Sequence, residues 1–97
     1  MIRKKIAAQV SVCFMKEKES FVAYSPALDL STCGRTLEEA KKNFLEALDI
    51  FFEDCTEMGT LDKVLESLGW EKKGRKQWLP PIPVHEETVS LPDLAFA

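Results

Sequence analysis

From Thr36 to Met58, apolar residues recur at intervals of three and four. Leu37, Ala40, Phe44, Ala47, Leu48, Phe51, Cys55 and Met58 make up the series, which is the period of a helix with one buried face. Thr36 is placed to cap the first turn, and Glu39, three residues on, completes a capping box. Gly59 stops the helix, because glycine takes the left-handed conformation favoured just past a helix end.

Before the helix the period changes to two. Ile6, Ala8, Val10, Val12 and Phe14 alternate with Ala7, Gln9, Ser11, Cys13 and Met15, which predicts a strand over 5–15 with one side buried. Lys16-Glu17-Lys18-Glu19-Ser20 is too charged for a core and reads as a hairpin loop. Phe21 to Ser25 is short, aromatic and β-prone, and Pro26 ends it because proline cannot donate to a ladder. Leu28, Leu30 and Thr32, alternating with Asp29, Ser31 and Cys33, predict a third strand that Gly34 closes. Three consecutive strands on short connections make an antiparallel meander, and the helix stripe is the natural cover for one of its faces.

Beyond Gly59 the pattern is shorter in range. Leu61, Val64, Leu65 and Leu68 predict a second, short helix with Thr60 as its cap and Gly69 as its stop. Trp70 and Trp78 sit symmetrically about Gly74. Either a hairpin turning near Lys73-Gly74 pairs them across strands, or the segment is a loop. Pro80, Pro81, Pro83 and Pro92 exclude helix. Val84 to Leu91 is then either an added strand or a mobile tail. The expected architecture is α+β: an antiparallel sheet of three to four strands, one long helix on one face, a short second helix and an extended C-terminal tail. Residues 1–79 form one domain and 80–97 a proline-rich tail.

Composition narrows the function classes. The chain has 97 residues, 45% of them hydrophobic and 30% charged, with a net charge of -3. That is an ordinary globular composition for one small domain, and oligomerisation is a plausible source of extra burial. The acidic balance argues against autonomous DNA or RNA binding, which needs positive charge to meet phosphates. No apolar run approaches the ~20 residues that cross a bilayer, and 6–12 alternates where a signal peptide would be continuously apolar. Cys13, Cys33 and Cys55 are far apart and lack metal-site spacing, so they read as reduced, core-filling thiols of a cytoplasmic protein.

The span from Phe21 to Glu53 resembles a known family. Phe21-Val22-Ala23-Tyr24-Ser25-Pro26-Ala27-Leu28 is similar to the "aromatic-x-Ala-x-x-Pro-x-Leu" strand of the HicB-like antitoxin domain. Gly34-Arg35-Thr36-Leu37-Glu38-Glu39-Ala40 resembles that family's "Gly-x-Thr-x-Glu-Glu-Ala" helix start, and Glu46-Ala47-Leu48 its "Glu-Ala-Leu". The chain departs from the family between Leu28 and Cys33, where Asp29-Leu30-Ser31-Thr32 replaces a Pro-Gly-Cys-like turn. The resemblance implies a truncated ribonuclease-H-like β-β-β-α core. It implies an antitoxin that binds and blocks a small HicA-type ribonuclease, usually as a homodimer or tetramer. Many members add a DNA-binding module at the C-terminus. After Trp70 the prolines leave no room for two helices, so direct DNA binding is not expected of this chain.

Candidate chemistry is sparse. A two-metal nuclease needs several converging carboxylates. Glu38 and Glu39 are explained by the helix start, and Glu46, Asp49 and Glu53 by a solvated helix face. Asp29 is the one acid placed within a strand, which leaves a residual metal-dependent nuclease as the weakest of the readings. His85, the only histidine, lies in the tail with no nucleophile near it. No catalytic residue, cofactor or metal site is assigned. Lys72, Lys73, Arg75 and Lys76 form a basic patch beside the tryptophans, a combination that can hold single-stranded nucleic acid but also suits a solvated turn. Leu45, Ile50 and Phe52 fall off the helix stripe and are the candidate partner or oligomer surface. The expected function is that of an antitoxin or regulatory domain, with a homo-oligomeric ligand- or protein-binding module lacking a toxin as the alternative.

Overall fold

The computed structural model describes residues 8–75 and 77–92. It is an α+β fold in the order β1 (Cys13–Glu17), β2 (Ser20–Ser25), β3 (Leu30–Gly34), α1 (Leu37–Met58), α2 (Leu61–Ser67), β4 (Glu71–Lys73) and β5 (Gln77–Leu79). The first three strands form an antiparallel sheet in the order β1-β2-β3, and β4 and β5 form a separate two-stranded sheet. No helix among the described residues is long and apolar enough to cross a membrane.

Proline and strand pairing set the limits of the sheet. The expected strand over 5–15 is observed as Cys13–Glu17. Its first residues, 5–7, lie outside the described residues. Cys13 pairs with Tyr24, so residue 11 would fall opposite Pro26, which has no N–H to give to a ladder. The alternation survives without the strand: Ala8, Val10 and Val12 are half-buried, while Gln9, Ser11 and Cys13 are exposed. At its other end β1 runs into the charged segment as far as Glu17, which pairs with Ser20. The turn is Lys18-Glu19, with Lys18 in the left-handed region at φ 54°. The third strand begins at Leu30 rather than Leu28. Residues 26–29 form a turn in which the Leu28 and Asp29 amides donate to the Ser25 and Pro26 carbonyls, and Leu28 packs into the core from that turn.

The long helix starts and stops at the expected residues. The Glu39 amide donates to Thr36 Oγ1 at 3.0 Å, and Gly59 caps the other end at φ 67°. The carboxylate of Glu39 accepts from the Arg35 amide at 3.3 Å, one residue before the partner of an ideal capping box. α1 lies on the sheet face that carries Phe14, Ala23 and Thr32, which pair across the strands. Ala23, Ala40 and Phe44 form the buried cluster between helix and sheet. Met58, expected on the buried stripe, is 73% exposed. It sits in the last turn, beyond the reach of the sheet.

A second cluster joins the rest of the chain. Ala27, Leu28, Leu61, Leu65, Trp70 and Trp78 are buried together, with Phe51, Phe52 and Cys55 packed against them. Thr60 precedes α2 but its side chain makes no capping bond. The segment after Gly69 is the hairpin alternative, in a different register from the expected one. Lys72, not Trp70, stands opposite Trp78, and Gly74 and Arg75 lie in the turn. Both tryptophans still reach the same core, because Trp70 lies two residues from Lys72 and shares its face of the ladder. Residues 80–92 form no strand, and 81–92 are exposed.

Candidate interaction surface

The solvent face of α1 combines charge and apolar area. From Leu45 to Met58 its exposed residues include Glu46, Asp49, Glu53, Asp54 and Glu57, and no lysine or arginine occurs between Asn43 and Asp62. Leu45 and Ile50 are 61% and 59% exposed. At roughly 100° per residue they lie about 140° apart, bracketing Asp49, Glu53, Glu46 and Glu57 between them. The arrangement is an acidic strip framed by two apolar side chains. Such a surface can take a basic partner and hold it by apolar anchors at both sides.

Phe52 does not belong to that surface. It is half-buried and packs against the second core cluster, with its ring edge-on to Phe51 at 5.2 Å and 88°. Its position on the helix is adjacent to the buried stripe. The extra core built by α2 and the hairpin covers it, and the meander alone gave no sign of that cover.

The basic patch is divided by its own fold. Lys72 Nζ lies 3.5 Å from Asp62 and 5.6 Å from the centre of the Trp78 ring, so it is engaged within the chain. Lys73 and Arg75 are exposed, and Lys76 lies outside the described residues. Trp70 and Trp78 are 4% and 2% exposed. Their rings fill the core and offer no platform for stacking a base, so the aromatic half of the nucleic-acid reading is corrected.

The remaining candidates are placed as follows. Asp29 lies in the β2–β3 turn, not in a strand, with a left-handed φ of 48°. It accepts a hydrogen bond from the Tyr24 hydroxyl at 3.0 Å. That bond, with a smaller contribution from desolvation and from the charge of Asp29, raises the Tyr24 pKa above its ordinary 10.0. His85 Nε2 is 3.2 Å from Glu87 Oε1, both exposed in the tail. Among the described residues, no three of His, Cys, Asp or Glu converge as metal ligands. The cysteines are all free. Cys13 and Cys33, expected as core filling, are exposed: they pair with Tyr24 and Val22 on the sheet face that α1 does not cover. Sequence reading missed an apolar groove of about 260 Å³ between the β2–β3 turn and the tail, lined by Ser11, Pro26, Ala27, Pro81, Ile82 and Pro83. The repeated prolines at 80–83 were its one sequence signal. Compared with protein-family models, curated proteins and solved structures, the chain finds no match.

Proposed function

We propose that this chain is a HicB-like antitoxin that acts in the cytoplasm by covering a small HicA-type ribonuclease, without chemistry of its own. The observation that carries the reading is the acidic face of α1 framed by Leu45 and Ile50. A ribonuclease must offer positive charge to RNA, and a rigid helix bearing carboxylates between apolar anchors is complementary to that charge. The residues that resemble the family support the same reading by the structural places they occupy. Ala23 and Ala40 are fully buried, Gly34 lies against α1, and Thr36 caps it. Free thiols suit the reducing cytoplasm.

The test is co-expression with the products of the adjacent reading frames. A small basic protein is expected to co-purify and to lose its toxicity. Leu45→Glu with Ile50→Glu is expected to weaken that binding by at least about a hundredfold, or ~3 kcal/mol. If no neighbouring product binds, or if the double variant binds as tightly, the reading fails. The groove at Pro26 and Pro81–Pro83 favours a second reading, a homo-oligomeric module that binds an apolar ligand. A pull-down that returns only the chain itself, together with a small molecule, would favour it.

A further inference from the structure

We propose that residues 84–91 are a recognition strand: they take β form by adding to an exposed sheet edge of a small basic protein, the partner in the function proposed above, on which this inference rests. Residues 81–92 are exposed and form no strand on this chain. Ile82, Val84, Val89 and Leu91 are 71%, 90%, 71% and 81% exposed. Apolar side chains held out together in one segment mark a surface that a partner covers. The backbone is suited to a ladder. Pro83 and Pro92 bracket Val84-His85-Glu86-Glu87-Thr88-Val89-Ser90-Leu91, in which every residue has an N–H. A strand needs about 5–6 such residues, and the two prolines fix where it can start and stop. His85 Nε2 lies 3.2 Å from Glu87 Oε1, a contact between residues two apart that an extended backbone makes by putting both side chains on one side.

The base of the segment is anchored. Trp78 is buried, Leu79 and Pro80 are half-buried, and Pro81, Ile82 and Pro83 line the groove with Pro26 and Ala27. Pro80, Pro81 and Pro83 hold the backbone extended where it leaves the body, which lowers the entropy lost when 84–91 order on a partner. Charge selects that partner. From Gln77 to Leu91 there is no lysine or arginine, and Glu86 and Glu87 stand mid-segment. In an extended chain they point to opposite sides, so each side sets a carboxylate beside apolar groups: Glu86 with Val84, and Glu87 with Val89 and Leu91. That argues against nucleic acid and suits a basic protein, the same preference as the α1 face. A second copy of this chain, with a net charge of -3, is a poorer match. In strand addition the main-chain bonds supply affinity and alternate side chains supply specificity.

The experiment uses the full chain and the basic product of the adjacent reading frame that co-purifies with it. Amides of 84–91 are expected to exchange freely in the chain alone and to be protected in the complex. Thr88→Pro with Val89→Pro removes two successive N–H groups, one of which points at the partner's edge whichever side is bound. That double variant is expected to raise the dissociation constant at least about tenfold while the thermal midpoint of the free chain stays unchanged. Ser90→Ala should leave the constant as it is. Wild-type binding by the double-proline variant overturns this inference and leaves the proposed function standing, which Leu45→Glu with Ile50→Glu probes separately. Protection of 84–91 in the free chain also overturns it. If independent of concentration, that protection places the strand on its own chain; if it rises with concentration, on a second copy. If no basic neighbour binds, the proposed function and this inference both fall.

Discussion

Gly34 and Ala40 meet backbone to backbone: a Cβ on Gly34 would stand 2.5 Å from the Ala40 amide nitrogen. The Glu39 carbonyl carbon would be 2.8 Å away. Gly34 is not among the residues with positive φ, so its requirement is steric. Neither neighbour is a flexible side chain, so relief would mean lifting the first turn of α1 off β3. Gly34→Ala is expected to destabilise the fold by about 1–3 kcal/mol, read as a lower thermal midpoint. A variant that melts with the wild type would show that the close approach costs nothing to relieve.

Phe44 and Met58 share a helix stripe but differ in environment, at 3% and 73% exposed. Phe44→Ala is expected to cost about 3–5 kcal/mol, a large part of the ~5–15 kcal/mol that holds a domain of this size. Met58→Ala should stay within about 0.5 kcal/mol. Urea denaturation of both variants decides it, and equal losses would contradict the placement of the core beneath α1.

The two tryptophans are buried alike yet bonded differently. Trp70 Nε1 donates to the Ala27 carbonyl at 2.7 Å, whereas Trp78 Nε1 is buried with no hydrogen-bond partner among the described residues. Each Trp→Phe change removes comparable volume. Only the change at Trp70 strands a buried acceptor, so it should cost about 1–3 kcal/mol more than the change at Trp78. Equilibrium denaturation of the pair reads the difference, and equal costs would mean that the bond contributes nothing.

Tyr24 is the only tyrosine, so phenolate absorbance reports it alone. Its pKa is raised, chiefly by the hydrogen bond to Asp29, so folding favours the protonated phenol. The stabilisation is full below the ordinary 10.0 and is lost as pH climbs through the higher folded value. Titration of the native protein should show a midpoint above 10.0, and Asp29→Asn should move it down. A native midpoint at or below 10.0 would contradict the bond.

The helix, its caps and the meander were legible because each rests on local rules. Thr36, Glu39 and Gly59 act within a turn of where they stand, and Pro26 breaks whatever strand reaches it. The register of the hairpin was not legible. Symmetry about Gly74 pointed to Trp70 opposite Trp78, but Lys73 pairs with Gln77 and Lys72 stands opposite Trp78 instead. Cys13 and Cys33 were misread because an apolar side chain was taken as buried, whereas strand parity puts both on the uncovered face. Of the candidate surface, Leu45 and Ile50 followed from helix geometry. Phe52 did not, since its cover comes from residues near Trp70 that no periodicity connects to it.

The bond from Trp70 to Ala27 closes a loop of 43 residues. The Ala23–Ala40–Phe44 cluster, by contrast, is built within one short stretch of chain. Loop-closure entropy favours contacts of short separation early in folding. The meander and α1 should therefore find each other first, with α2 and the hairpin docking onto the β2–β3 turn afterwards. During synthesis β1, β2, β3 and α1 emerge before Trp70 does. Until the tryptophan arrives, Ala27 and Leu28 remain uncovered, and in that interval the nascent chain is most open to proteases and to misassociation.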